Sequence, residues 1–133
     1  MTTDPAALLK TAKTIAVVGC SATPGKDAHE VPRYLMEQGF DVIPVNPTAP
    51  EILGRKAYRS LADVPVPIDV VNVFRPSAEA PDVARQAVAV GAKAVWLQTG
   101  IESDEARRVA TQAGLAYVEN RCIRTEDRLR RRG

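Results

Sequence analysis

Thr14-Ile15-Ala16-Val17-Val18-Gly19-Cys20-Ser21-Ala22-Thr23-Pro24-Gly25 is the stretch whose reading decides the fold. Ile15 to Val18 form an unbroken apolar run, rich in β-branched residues and without polar alternation. Such a run suits a strand covered on both faces, as in a parallel sheet. Gly19 and Ser21 then let the backbone approach a ligand closely, and a helix start beyond them offers unpaired N–H groups to a phosphate. The next glycine after Gly19 is Gly25, so the dinucleotide fingerprint G-x-G-x-x-G cannot be written here. The segment predicts the first βα turn of a nucleotide binder of another kind.

Working outward, four more buried-strand candidates follow in order: Val42 to Val45, Val70 to Phe74, Ala94 to Leu97 and Ala116 to Val118. Helical patterns separate most of them. Glu30 to Gln38 places Val31, Tyr34 and Leu35 on one face and stops at Gly39. Glu79 to Val90 stops at Gly91, and Ser103 to Ala113 opens with a cap and two acids and stops at Gly114. Alternation of this kind means βαβ units with right-handed crossovers. The connection from Val45 to Val70 departs from it, with Pro47, Pro50, Pro65 and Pro67 and only a short helical candidate at Ser60 to Asp63. A long loop with one or two helical turns is expected there, leaving that sheet edge thinly covered. The expected fold class is α/β, a Rossmann-like three-layer fold with a five-stranded parallel sheet. A helix opens it at Asp4-Pro5 and a basic helix or tail, 123–133, closes it.

Composition sets the bounds. At 133 residues, 45% apolar and 26% charged, the chain reads as one domain of an ordinary globular protein. No apolar run approaches the ~18 residues of a membrane span, and no export signal opens the sequence, so a cytoplasmic location without membrane contact is expected. Two distant cysteines and a single histidine argue against a metal site. Six arginines between Arg121 and Arg132 face only Glu126 and Asp127. A solvated helix end, with arginines suited to its dipole, is the expected role of this tail rather than nucleic-acid binding.

In an open parallel sheet, ligands sit beyond the carboxyl ends of the strands, where strand order reverses. The first strand ends in Gly19-Cys20-Ser21, the second in Asn46-Pro47, the third in Phe74-Arg75-Pro76. The fourth ends in Gln98-Thr99-Gly100 and the fifth in Glu119-Asn120-Arg121-Cys122. A dinucleotide enzyme places Asp or Glu after its second strand to hold ribose hydroxyls. Here that position reads Asn46-Pro47, which counts against NAD and removes a charge that would repel a phosphate beside the ribose. Lys26, Arg55, Lys56 and Arg75 lie in loops that could surround such a phosphate. A ligand with both a pyrophosphate and a ribose phosphate fits best, and coenzyme A has that shape.

Six segments then fall in order: VVGCSATPGKDAHEVPRYL from Val17, GFDVIPVNP from Gly39, ILGRKAYRSLADVP from Ile52, VVNVFRP from Val70, GAKAVWLQTGI from Gly91 and ENRC from Glu119. Together they resemble the stand-alone CoA-binding protein family, itself similar to the N-terminal CoA-binding domain of succinyl-CoA synthetase α-chains. The resemblance covers about residues 8–125. It implies a pyrophosphate on Gly19, Cys20 and Ser21, with Lys26 as a neutralising cation. It implies the adenosine portion beside Asn46 and Pro47, and Phe74, Arg75 and Pro76 against the adenine or the pantetheine arm. Gln98, Thr99 and Gly100 would face the route of that arm. Cys122 would stand near the thiol end, with Arg121 and Arg124 favouring its thiolate, although Arg121 splits the Asn-Cys pair of the synthetase domain.

No nucleophile has an evident base, and no paired acids or second histidine support His29. The expectation is therefore a binding or regulatory protein for coenzyme A or acyl-CoA, without catalytic residues. A small NAD(P)-binding oxidoreductase or redox-sensing Rossmann domain is the alternative. Trp96 reads as core, Cys20 and Cys122 as small buried hydrophobes more than reactive groups, and His29, beside Glu30, as a local hydrogen-bonding residue.

Overall fold

The computed structural model describes residues 4–133, so the first three residues of the polar opening lie outside the description. Asp4 caps α1 (Pro5–Thr11): its Oδ1 accepts from the Ala6 N–H at 3.1 Å, and Pro5 fills a first-turn position where no N–H is needed. There follow β1 (Thr14–Val18), α2 (Asp27–Glu37), β2 (Asp41–Val45) and a hairpin of β3 (Glu51–Ile52) with β4 (Arg55–Lys56). A 3-10 turn at Leu61–Asp63 leads to β5 (Val70–Val73). Then come α3 (Ala80–Ala89), β6 (Ala94–Leu97), α4 (Asp104–Gln112), β7 (Ala116–Val118) and α5 (Ile123–Arg132).

Five of the strands form one parallel sheet in the order β2-β1-β5-β6-β7. Side chains alternate between its faces. Ile15, Val17, Val70, Ala94 and Trp96 pack on one side with Leu9, Val31, Leu35 and Ile123 from α1, α2 and α5. Ala16, Val71, Val73, Val95 and Leu97 pack on the other with Val83, Ala84, Ala87, Ala106 and Ala110 from α3 and α4. The result is the three-layer α/β Rossmann-like fold expected from the alternating pattern. Trp96 is fully buried, its indole N–H donating to the Arg121 carbonyl at 2.9 Å.

Two prolines show how the sequence fits this frame. Pro44 lies inside β2, an edge strand. Outside β2, the Tyr58 N–H donates to the Pro44 carbonyl and the Asn46 N–H donates to the Tyr58 carbonyl, so the N–H that Pro44 lacks falls on the outer side of the sheet. Pro32 lies inside α2, which begins at Asp27, three residues before the expected start. An ordinary residue 32 would donate to the carbonyl of residue 28. With that donor absent, the Ala28 carbonyl accepts instead from the Ser21 N–H at 2.9 Å, tying the turn after β1 to the helix.

The β2–β5 connection is more structured than a loop. β3 and β4 pair through Leu53 and Gly54, both at positive φ, and Tyr58 then bridges to Val45. The basic end of the chain also differs from a solvated tail. Asp127 of α5 is fully buried, accepting from the Tyr34 hydroxyl and from the Nε of Arg130 and Arg131, each at 2.7 Å. Arg128 lies 4.9 Å from the Tyr34 ring centroid and Arg121 pairs with Glu126 at 3.6 Å. The Tyr34–Asp127 hydrogen bond and the Arg128–Tyr34 contact thus tie α5 to α2, while Arg130 and Arg131 neutralise Asp127 from within α5. No helix among the described residues is long and apolar enough to cross a membrane.

Candidate functional site

The chain runs from β2, at one edge, past β1 to β5, so strand order reverses between β1 and β5. Their carboxyl ends carry Gly19 and Phe74-Arg75. A cleft of about 380 Å³ opens there, walled by Val18, Gly19, Val45, Pro47, Arg59, Ser60, Arg75, Glu79 and Asp82. It is the crevice that an open parallel sheet leaves at its switch point.

Gly19 is a glycine for two reasons. Its φ of +85° lies in the left-handed region, and a Cβ there would stand 3.0 Å from Arg75 Cδ and 3.3 Å from the Phe74 carbonyl carbon. Arg75 therefore lies across the turn. Glu79 Oε1 holds it by accepting from Nε at 3.1 Å and Nη2 at 2.8 Å. The turn's own donors are partly engaged: the Gly19 N–H donates to Val45 and the Ser21 N–H to Ala28. The missing side chain at Gly19 lets the Arg75 side chain lie against the backbone at the cleft.

Asn46 is occupied by the backbone around it. Its Nδ2 donates to the Cys20 carbonyl at 2.9 Å, and its Oδ1 accepts from the Thr48 and Ala49 N–H groups at 2.8 and 2.9 Å. It braces the first two strand ends against each other. Of the thirteen site residues read from sequence, Gly19, Pro47 and Arg75 line the cleft. Cys20 is buried on the α2 side, and burial pushes its thiol up to about 12. Ser21 and Pro76 shape turns, and Lys26 is an exposed residue at the N-cap of α2.

A second group gathers on the α2–α5 face of the same sheet edge. Gln98 is turned inward, 5% exposed, its Oε1 accepting from Asn72 Nδ2 at 3.2 Å and from the Ile123 N–H at 2.9 Å. Cys122 is half-buried at the N-cap of α5. Desolvation raises its pKa, but hydrogen bonds from the Thr125 and Arg124 N–H groups and from the Gln98 and Thr125 side chains outweigh it and hold the thiol below its ordinary value. Helix-start donors lead that stabilisation, not the Arg121 and Arg124 side-chain charges expected from sequence. Phe74 is half-buried and packs against the same core cluster as Cys122. Thr99 and Gly100 are exposed, and the Gly100 N–H donates to Asn120 Oδ1 at 2.7 Å.

Arg59, Ser60, Glu79 and Asp82 were not singled out by sequence reasoning, although Arg59 and Ser60 stand within one of the resembling segments. The Arg55-Lys56 pair divides. Arg55 pairs with Asp41 at the amino end of β2, away from the cleft, whereas Lys56 stays on the carboxyl side, its ammonium 5.1 Å from the Tyr58 ring centroid. His29 hydrogen-bonds Glu30 at 2.9 Å, as its local role required.

The sheet order and the cleft at its switch point define a Rossmann-like α/β domain. The chain belongs to the CoA binding domain family, whose pattern matches residues 13–128. It is 39% identical to the uncharacterized protein YneT of Bacillus subtilis (strain 168), over 88% of this chain and 87% of that protein. It is 30% identical to the acetate–CoA ligase [ADP-forming] II subunit alpha of Pyrococcus furiosus, over 82% of this chain but only 26% of the subunit. The chain thus spans about a quarter of that relative. Among solved structures, a hypothetical protein from Pyrococcus horikoshii OT3 superposes with a TM-score of 0.92 at 43% identity, covering 95% of this chain and 89% of that one.

Proposed function

We propose that the chain binds coenzyme A or an acyl-CoA as a single unit, across the carboxyl edge of its sheet, without turning it over. The observation that carries this reading is the switch-point cleft, where Arg75 lies against Gly19 and Arg59 joins the lining. An anion there meets guanidinium groups suited to phosphate. Asn46, with both ends of its amide spent on backbone, leaves no carboxylate to grip the vicinal ribose hydroxyls of NAD. The segment shared with an acetate–CoA ligase covers only a quarter of that enzyme, and CoA is the group its name prints.

The diphosphate would lie over Gly19 with Arg75 turned to it, and the pantetheine arm would run over Phe74 toward Cys122. Non-catalytic binding is supported by the engagement of the candidate groups: Cys20 is buried and His29 is paired with Glu30. Titration calorimetry with CoA, acetyl-CoA, NAD and NADP is the test. CoA or acetyl-CoA is expected to bind more tightly than either nicotinamide dinucleotide. Tighter binding of NAD or NADP overturns the reading in favour of a dinucleotide-binding oxidoreductase.

A further inference from the structure

Beside the switch-point cleft lies a second depression of about 430 Å³, under the β3–β4 hairpin, lined among others by Thr48, Lys56, Tyr58, Arg59 and Asp63. Arg59 lines both, so the two cavities adjoin at this residue. Their charges are arranged differently. In the first, Arg75 is already held by Glu79. In the second, among the described residues, neither Lys56 nor Arg59 meets a carboxylate at ion-pair distance; Lys56 rests over the Tyr58 ring instead. Asp63, the carboxylate of that depression, accepts from the Ser60 hydroxyl at 3.1 Å. Two cations without a carboxylate partner among the described residues, beside one engaged acid, leave a site that favours an anion.

We propose that Lys56 and Arg59 form a phosphate-monoester subsite, separate from the place of the diphosphate, and that Arg59 links the two. The inference rests on the CoA reading above and deepens it. Coenzyme A carries a diphosphate at the 5′ position and a monoester at the 3′ position of one ribose. A ribose seated between the cavities presents one anion to each. The hairpin makes this possible. Pairing of β3 with β4 sends Arg55 to Asp41 at the far end of β2, and the bridge from Tyr58 to Val45 then holds Lys56 and Arg59 beside the carboxyl edge. Specificity for the 3′-phosphorylated ligand is thereby a property of the hairpin, not of the turn after β1.

Calorimetric titration of the intact chain and of Lys56→Gln and Arg59→Gln with CoA and dephospho-CoA tests this. Charge-assisted hydrogen bonds to one exposed phosphate predict about a tenfold preference of the unsubstituted chain for CoA. Lys56→Gln is expected to bring that preference to within about twofold while leaving dephospho-CoA affinity in place, since Lys56 lines only the second cavity. Arg59→Gln is expected to lower CoA affinity more than dephospho-CoA affinity. Retained dephospho-CoA binding shows that each variant is folded. Equal binding of both ligands by the unsubstituted chain overturns the subsite, as does Lys56→Gln weakening both alike. Binding of neither ligand by the unsubstituted chain overturns the CoA reading itself.

Discussion

Gly19 and Arg75 occupy one another's space: a Cβ on residue 19 would stand 3.0 Å from the Arg75 side chain. The contact joins the ends of β1 and β5, the two strands between which the sheet reverses order. Gly19→Ala tests it. The Arg75 side chain yields by rotating, but the Phe74 carbonyl carbon at 3.3 Å is backbone, and φ of +85° is strained for alanine. A loss of about 1–3 kcal/mol is expected in urea unfolding followed by Trp96 fluorescence. CoA affinity, measured well below the unfolding midpoint, is expected to fall with it. Unchanged stability and affinity together would show that the close approach is incidental.

Glu79 competes with any anion for Arg75. Glu79→Gln is expected to tighten CoA binding, and Arg75→Gln to weaken it. Both side chains of the pair are more than a third exposed, so the ion pair is worth about 0–1 kcal/mol. The gain is accordingly limited to about fivefold, and it fades as salt rises. Weaker binding by Glu79→Gln at low salt would mean that Glu79 positions Arg75 rather than withholding it.

Asp127 holds α5 in place from within. Desolvation opposes its charge, but hydrogen bonds from Arg131, Tyr34 and Arg130 outweigh this and keep its carboxyl below the usual carboxylate range. A depressed carboxyl contributes stability that is fully present above the unfolded value of about 3.9 and is lost as pH falls through the folded one. Asp127→Asn is expected to cost about 2–4 kcal/mol at pH 7. The gap should narrow below about pH 4, because the unsubstituted chain then loses the same charge. A gap that stays constant down to pH 3 in urea unfolding would contradict the assignment.

The two thiols should differ in reactivity. Cys20 is buried with its thiol pushed up to about 12, whereas Cys122 is half-buried and held below its ordinary value. Iodoacetamide is expected to modify Cys122 first, with half-maximal rate below the pH of a free thiol, about 8.5. Saturating CoA should slow the reaction if the pantetheine arm passes Cys122. With CoA disulfide, the Cys122 thiolate would form a mixed disulfide and release one CoA thiolate. Intact-mass analysis reads both products, and an adduct that persists in Cys122→Ser removes Cys122 from the account.

The parts of the fold legible in the sequence were those coded locally. Apolar runs such as Ile15–Val18 and Ala94–Leu97, and the glycines that end the intervening helices, repeat with the βα period. The start of α2 was less legible: the apolar spacing marked it from Glu30, whereas the helix begins at Asp27 and carries Pro32 inside it. The proline is tolerated there, since the Ala28 carbonyl it leaves free is taken by Ser21, outside the helix. The hairpin was missed because its strands are two residues each and turn at Leu53-Gly54, without the Asn-Gly or Asp-Gly signal.

The sequence by itself determined the layer order of this protein, the parallel sheet and the family to which it belongs, because each follows from periodicity and from motifs within a few residues. Tertiary structure alone decided which strand-end residues share a cleft. Successive residues leaving a strand point to opposite faces, so Gly19 and Arg75 reach the α3 side while Cys20, Gln98 and Cys122 turn to α2 and α5. It also decided which cations remain available. Arg55, Arg75, Arg130 and Arg131 are held by Asp41, Glu79 and Asp127, whereas Lys56 and Arg59, one and four residues beyond Arg55 in the chain, keep their charge open beside the cleft. Whether a cation is spent or open depends on where a distant carboxylate comes to rest, and only the packed chain fixes that distance.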